Sequence, residues 1–118
     1  MTIRDLQDVL ASFARERDWE QFHTPKNLAM ALAGESGELL ELFQWLTPEQ
    51  SAQVMQDDRR AVQVREEMAD VLAYLLRLAD VLDVDLEKAL AEKIETNRRK
   101  YPVHLARGRA DKYTHLGE

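Results

Sequence analysis

An all-α fold follows from three features of this 118-residue chain. Apolar residues recur at three- and four-residue intervals over long stretches, only four glycines and three prolines interrupt them, and nowhere do apolar and polar residues alternate between turn residues as in a half-buried strand. From Thr2, the positions Ile3, Leu6, Val9, Leu10 and Phe13 share one helical face. Thr2 is placed to cap that helix and Asp5 to complete a capping box, which predicts a first helix reaching about Asp18. The aromatic segment Trp19 to His23 breaks the period, and Thr24-Pro25 then supplies an N-cap followed by proline at the first helical position. A second helix is predicted from there to about Trp45. Thr47-Pro48-Glu49-Gln50 repeats the start signal for a short helix, and the polar run Gln56 to Arg60 reads as a connection. A third long helix is predicted over about Ala61 to Leu82, with a turn at Asp83 to Asp85. A fourth runs from Leu86 to about Lys100, where Pro102 stops it. The expectation is a four-helix bundle in a single domain over residues 1–118, with a polar, basic tail from about residue 103.

Composition narrows the function classes. The net charge of −6 repels nucleic-acid backbones and anionic membrane surfaces, and no uncharged run approaches the ~18 residues of a membrane span. No nucleic-acid polymer and no membrane are expected as partners, and a cytoplasmic location is expected. Without cysteine there is no disulfide scaffold, thiolate zinc site or cysteine nucleophile, so any metal must be held by oxygen or imidazole.

The informative residues are acids on apolar faces. In the second helix Leu28, Leu32, Leu39 and Leu42 form a stripe that contains Glu35, with Glu38 one step aside. In the third, Val64, Met68, Val71, Leu75, Leu78 and Leu82 form the stripe, flanked by Glu67, Asp70 and Tyr74. A buried carboxylate must be neutralised, paired or bound to a cation. The pairs Glu35/Glu38 and Glu67/Asp70 are each spaced i, i+3, so both members of a pair point the same way. Two such helices side by side make a cage of hard oxygen ligands suited to Mg²⁺ or Mn²⁺, and such a cage points to phosphate chemistry. Lys93 and Asn97 lie in register with Leu86 and Leu90 on the fourth helix, where they are candidate phosphate partners. Trp19, Phe22, Trp45 and Tyr74 sit at helix ends or beside the acids, where a nucleobase can stack. Leu72 and Leu76 widen the apolar arc of the third helix beyond what one small core needs, so a homodimer or homotetramer is expected.

The segments Gly34-Glu35-Ser36-Gly37-Glu38 and Glu66-Glu67-Met68-Ala69-Asp70 resemble the ExxE…ExxD magnesium motif of the MazG-like all-α nucleoside triphosphate pyrophosphatases. Arg17 to His23, Glu41-Leu42-Phe43-Gln44-Trp45 and Asn97 to Pro102 look like the corresponding segments of the dCTP pyrophosphatase branch. The resemblance implies hydrolysis of dCTP and modified cytosine dNTPs to the monophosphate and pyrophosphate, with Glu35, Glu38, Glu67 and Asp70 as magnesium ligands. It further implies Trp19, His23, Trp45 and Tyr74 at the base, Lys93 and Asn97 at phosphate or sugar, and a dimer or tetramer with sites at subunit interfaces. Leu10 stands where animal members of that branch carry a histidine near the base. Glu41, one turn beyond Glu38, is a candidate for orienting the attacking water, a role that Glu35 or Glu38 fits equally. Two other readings stand beside this one: a pyrophosphatase of broader range, acting on dUTP or noncanonical triphosphates, and a non-enzymatic helical interaction domain.

Overall fold

The computed structural model describes residues 1–117, and its regular structure is helical throughout. Six α-helices occur among the described residues: α1 (Ile3–Glu16), α2 (Pro25–Glu41), α3 (Pro48–Ala52), α4 (Asp58–Val81), α5 (Leu86–Lys100) and α6 (Val103–Ala106). Short 3₁₀ turns lie at Glu20–Phe22, Val54–Gln56 and Tyr113–His115. The chain forms two compact units, Met1–Asp83 and Val84–Glu118. Among the described residues no helix is long and apolar enough to cross a membrane.

The helix starts follow from side-chain caps. Thr2 accepts from the Asp5 N–H while Asp5 accepts from the Thr2 N–H, and Thr47 and Gln50 repeat this box at α3. Thr24 caps α2 ahead of Pro25. Asp85 caps α5 through the Lys88 N–H. The helix ends differ from the sequence expectation. Helix α2 stops at Glu41, not Trp45, because Phe43 and Gln44 both donate to the Leu40 carbonyl and tighten the chain into a turn. That turn leads into the extended Thr47, as the following proline requires. Helix α4 begins at Asp58, inside the stretch read as a connection, because Asp57 accepts from the N–H groups of Arg59 and Arg60. Within the tail lie α6 and the last 3₁₀ turn.

In the first unit α4 is the central element, with α2 packed along it and α1 against it. Leu28 on α2 is 1% exposed, and Ala61, Val64, Leu76 and Ala79 are the buried residues of α4. The α1–α4 contact also buries Gln7, whose amide donates to the Leu76 carbonyl at 3.0 Å. The stripe expected to be core is only partly so. Met68 is 57% exposed, and Leu72, Leu75 and Leu82 are exposed as well. The face that packs within this chain is rotated toward alanines, which let neighbouring helices approach closely. In the second unit Tyr113 lies edge-on to Tyr101 at 6.2 Å, with the Lys100 ammonium 4.7 Å from the Tyr113 ring centre. These contacts fix the 3₁₀ turn of the tail against the end of α5.

Candidate functional site

Glu35 and Glu38 project from α2 and Glu67 from α4, and each offers a carboxylate oxygen within 4.8 Å of the other two. Oε2 of Glu35 and Oε2 of Glu67 are shielded from solvent and have no hydrogen-bond partner. Burial, and after it the neighbouring carboxylates of Glu38, Asp70 and Glu67, pushes Glu35 up to about 7. Glu67 is raised too, first by burial and then by Glu38. Three acids crowded together, two of them with orphaned oxygens, fit a hard divalent ion.

Beside the acids, a cavity of about 180 Å³ is lined by Leu10, Phe13, Trp19, His23, Asp70, Ala73, Tyr74 and Arg77. Its aromatic wall is set by the end of α1. Asp18 takes a left-handed conformation (φ 54°), the Asp18 N–H bonds the Arg15 carbonyl and the Trp19 N–H bonds the Ala14 carbonyl. This is a Schellman ending, in which the residue after the turn folds back onto the helix. Trp19 accordingly meets Phe13 edge-on at 5.7 Å, and the Arg17 guanidinium covers the Phe13 ring at 3.6 Å. On the polar wall, Arg77 Nε donates to His23 Nδ1 at 3.1 Å, and Arg77 reaches Asp80 at 3.7 Å. The His23 imidazole is held below its usual pKa by burial and then by the Arg77 charge, with Glu20 opposing.

Of the residues singled out from the sequence, Glu35, Glu38 and Glu67 come together, as do Trp19, His23 and Tyr74. Asp70 stands outside the three-carboxylate group and lines the cavity, close enough for its charge to raise Glu35. Glu41, the last residue of α2, is exposed and outside the acid group. Trp45 is 87% exposed and lines no part of the cavity. Lys93 and Asn97 lie on α5 in the second unit, Lys93 exposed and Asn97 half-buried. Leu10 also lines the cavity. Arg77 and Phe13 were not singled out. For Arg77 the signal was available: Glu67, Asp70, Tyr74 and Arg77 follow i, i+3, i+7, i+10, so Arg77 continues the polar flank of α4 by one turn.

The chain matches the model of the MazG-like family over residues 32–116. It is 53% identical over 116 residues to dCTP pyrophosphatase 1 of Rattus norvegicus, covering 98% of this chain and 68% of that protein. The identity to dCTP pyrophosphatase 1 of Homo sapiens is 50% over 115 residues, with the same coverage of 98% and 68%. Among solved structures, a pyrophosphatase from Archaeoglobus fulgidus superimposes with a TM-score of 0.78 at 45% identity, covering 84% of this chain and 91% of its own.

The raised Glu35 sets a pH dependence whose sign is fixed. Unfolded, this carboxyl loses its proton near 4.5; folded, it keeps it to about 7, so the native state binds more protons in that window and loses stability as pH rises through it. In metal-free protein, the melting temperature of Glu35→Gln relative to wild type should therefore be higher near pH 8 than near pH 5. Calorimetry giving the same difference at both pH values would contradict the placement of this carboxylate.

Proposed function

The chain belongs to the MazG-like family, and from that premise we propose that it is a Mg²⁺-dependent dCTP pyrophosphohydrolase that converts dCTP and modified cytosine dNTPs to the monophosphate and pyrophosphate. It is a nucleoside triphosphate diphosphatase, the reaction class of relatives at about half identity. The observation that carries the reading is the succession along α4 of Glu67, facing the acids of α2, then Asp70 and Tyr74, which line the aromatic cavity. One helix thus presents an ion-binding end and a base-sized end. At about 180 Å³ the cavity is smaller than the roughly 300–1,000 Å³ of sites that enclose a whole drug-sized ligand, so it suits a single heterocycle with the rest of the nucleotide outside.

In this reading Glu35, Glu38 and Glu67 hold the ion, with Asp70 completing the set or bridging to the base. What the ion supplies when bound is Lewis acidity, neutralising triphosphate charge and activating water for attack on phosphorus. Trp19 and Tyr74 form the walls against which the base stacks. Lys93 and Asn97 are assigned to phosphate or sugar, and Glu41 to orienting water alongside Glu35 or Glu38. Trp45 requires cover that this chain does not give it, and Met68, Leu72 and Leu75 on α4, with Leu82 at its C-cap, form an exposed apolar seam. Both features support a homodimer or homotetramer. The interaction-domain reading, in which the inward acids pair with Lys93 and arginines across a dimer interface, is disfavoured because relatives at about half identity are pyrophosphatases. The broader dNTP reading draws on one observation, the apolar Leu10 on the cavity wall.

Five outcomes follow. Mg²⁺ should raise the melting temperature by binding only the native state, and Glu38→Gln should fold yet release no pyrophosphate from dCTP. Substantial turnover by that variant in a pyrophosphate-release assay would remove the ion-site assignment. Trp19→Ala should raise KM roughly tenfold for dCTP, dUTP, dTTP and dATP alike, since stacking contributes about 1–3 kcal/mol with any base. Leu10→His should sharpen the preference for cytosine, and an effect of either variant on one nucleotide alone in the tryptophan case, or on none in the leucine case, would refute this division of roles. Light scattering at micromolar concentration should give a dimer or tetramer, and a monomer would contradict the assembly.

A further inference from the structure

The polar wall of the cavity is a chain of charged groups that ends on one imidazole. Arg77, with a side chain only 12% exposed, directs its Nε–H to His23 Nδ1. Its guanidinium is steadied by Asp80, which also takes a hydrogen bond at 3.1 Å from Arg4 on α1, and Arg4 in turn bonds Asp8. A guanidinium has five donors and no acceptor. The atom it faces must therefore present a lone pair, so Nδ1 carries no proton. A neutral imidazole then carries its proton on Nε2. Among the described residues Nε2 has no protein partner, and His23 lines the cavity.

We infer that Arg77 is a positioning residue for base selection: braced through Asp80 against Arg4, it fixes His23 as the neutral Nε2–H tautomer, so that His23 offers the bound base a donor and never an acceptor. This rests on the reading of the cavity as a base site. A donor selects an acceptor. On its pairing edge cytosine presents N3 and O2 as acceptors beside the N4 amino group, whereas uracil and thymine present an N3–H donor between two carbonyls. Asp70, on the same cavity wall, offers an acceptor for an amino group. A donor and an acceptor together match cytosine and oppose the reversed pattern of uracil. Sites that pair buried polar groups with a substrate discriminate more strongly than apolar walls do, because the wrong substrate leaves those groups unpaired. The polar wall therefore supplies the selectivity that Leu10 does not.

The test has a spectroscopic arm and a kinetic arm. Long-range ¹H–¹⁵N correlation spectra of the free, ¹⁵N-labelled protein near pH 7.5, with His23 assigned by its loss in His23→Gln, should show the Nε2–H tautomer in wild type and in Arg77→Lys. Mixed tautomers should appear in Arg77→Met. In kinetics, the ratio of kcat/KM for dCTP over dUTP should fall about tenfold in Arg77→Met through KM for dCTP, with kcat nearly kept, and Arg77→Lys should restore most of it. Should Arg77→Met fail to fold, Arg4→Ala, a change at an exposed side chain, should move the ratio the same way by a smaller factor. An Nδ1–H or imidazolium signal for His23 in wild type overturns the inference. So does an unchanged dCTP-to-dUTP ratio in Arg77→Met, or in Arg4→Ala if that variant stands in. A wild-type protein that hydrolyses no dNTP overturns the functional reading and the selectivity with it, while the spectrum decides the tautomer separately.

Discussion

The close packing of α2 on α4 puts carboxylates where water does not reach them, and the rest of the first unit is arranged around that constraint. Glu35 Oε2 and Glu67 Oε2 are shielded without partners, and Glu38 adds a third acid within 4.8 Å. Were both carboxyls ionised with no cation nearby, desolvation and mutual repulsion would each oppose the packing. The protein's own relief is protonation, which is why Glu35 holds its proton to about 7. The apolar contacts on either side keep the helices together despite this, with Leu28 on α2 and Ala61, Val64, Leu76 and Ala79 on α4 closing the interface.

The aromatic wall is set by backbone rather than by packing alone. A left-handed Asp18 closes α1 and reverses the chain so that Trp19 lies against Phe13, six residues earlier. Aspartate tolerates this conformation better than most residues because its short polar side chain can bond locally, and here Gln21 donates to both its carbonyl and its carboxylate. The next turn, Glu20–Phe22, then delivers His23 to the same cavity. Within five residues the chain places one stacking surface and one hydrogen-bonding ring.

Much of this was legible in the sequence, and the reasons differ by element. Caps are local chemistry, so Thr2, Thr24 and Thr47 marked helix starts that the structure repeats. The pairing of Glu35 and Glu38 with Glu67 was readable because acids on an apolar face have few alternatives to meeting one another. Termini set by backbone geometry were not readable: the tightened turn after Glu41 resides in φ, ψ and hydrogen bonds that hydropathy does not encode. Nor was the rotation of α4 readable, since leucine and alanine both count as apolar and only packing decides that Ala79 is inside and Leu82 outside. Arg77 escaped because a single arginine on a helix is ordinarily solvated, and its burial depends on Asp80 and His23 both being in reach.

What unifies the site is that α4 carries both ends of it. Glu67, Asp70, Tyr74 and Arg77 lie along one flank of a continuous 24-residue helix, spanning ten residues and hence about 15 Å at 1.5 Å per residue. Groups on one helix keep their mutual spacing without loop closure, so the acid end and the cavity end are held in register by the same hydrogen bonds that make the helix. Between Asp70 and Arg77, Ala73 lines the cavity with the shortest side chain that still fixes helical backbone, and the space left above it is what Trp19 and His23 enclose. A loop-built site would have to fix that spacing through tertiary contacts on every side. Here only the partners facing α4 need placing: the two acids of α2 by the apolar contacts around Leu28, and the aromatic and imidazole rings by the turn at Asp18. A change that shifts α4 along its axis therefore moves both ends together, whereas a change at the Asp18 turn displaces the aromatic wall and leaves the acid group where it is.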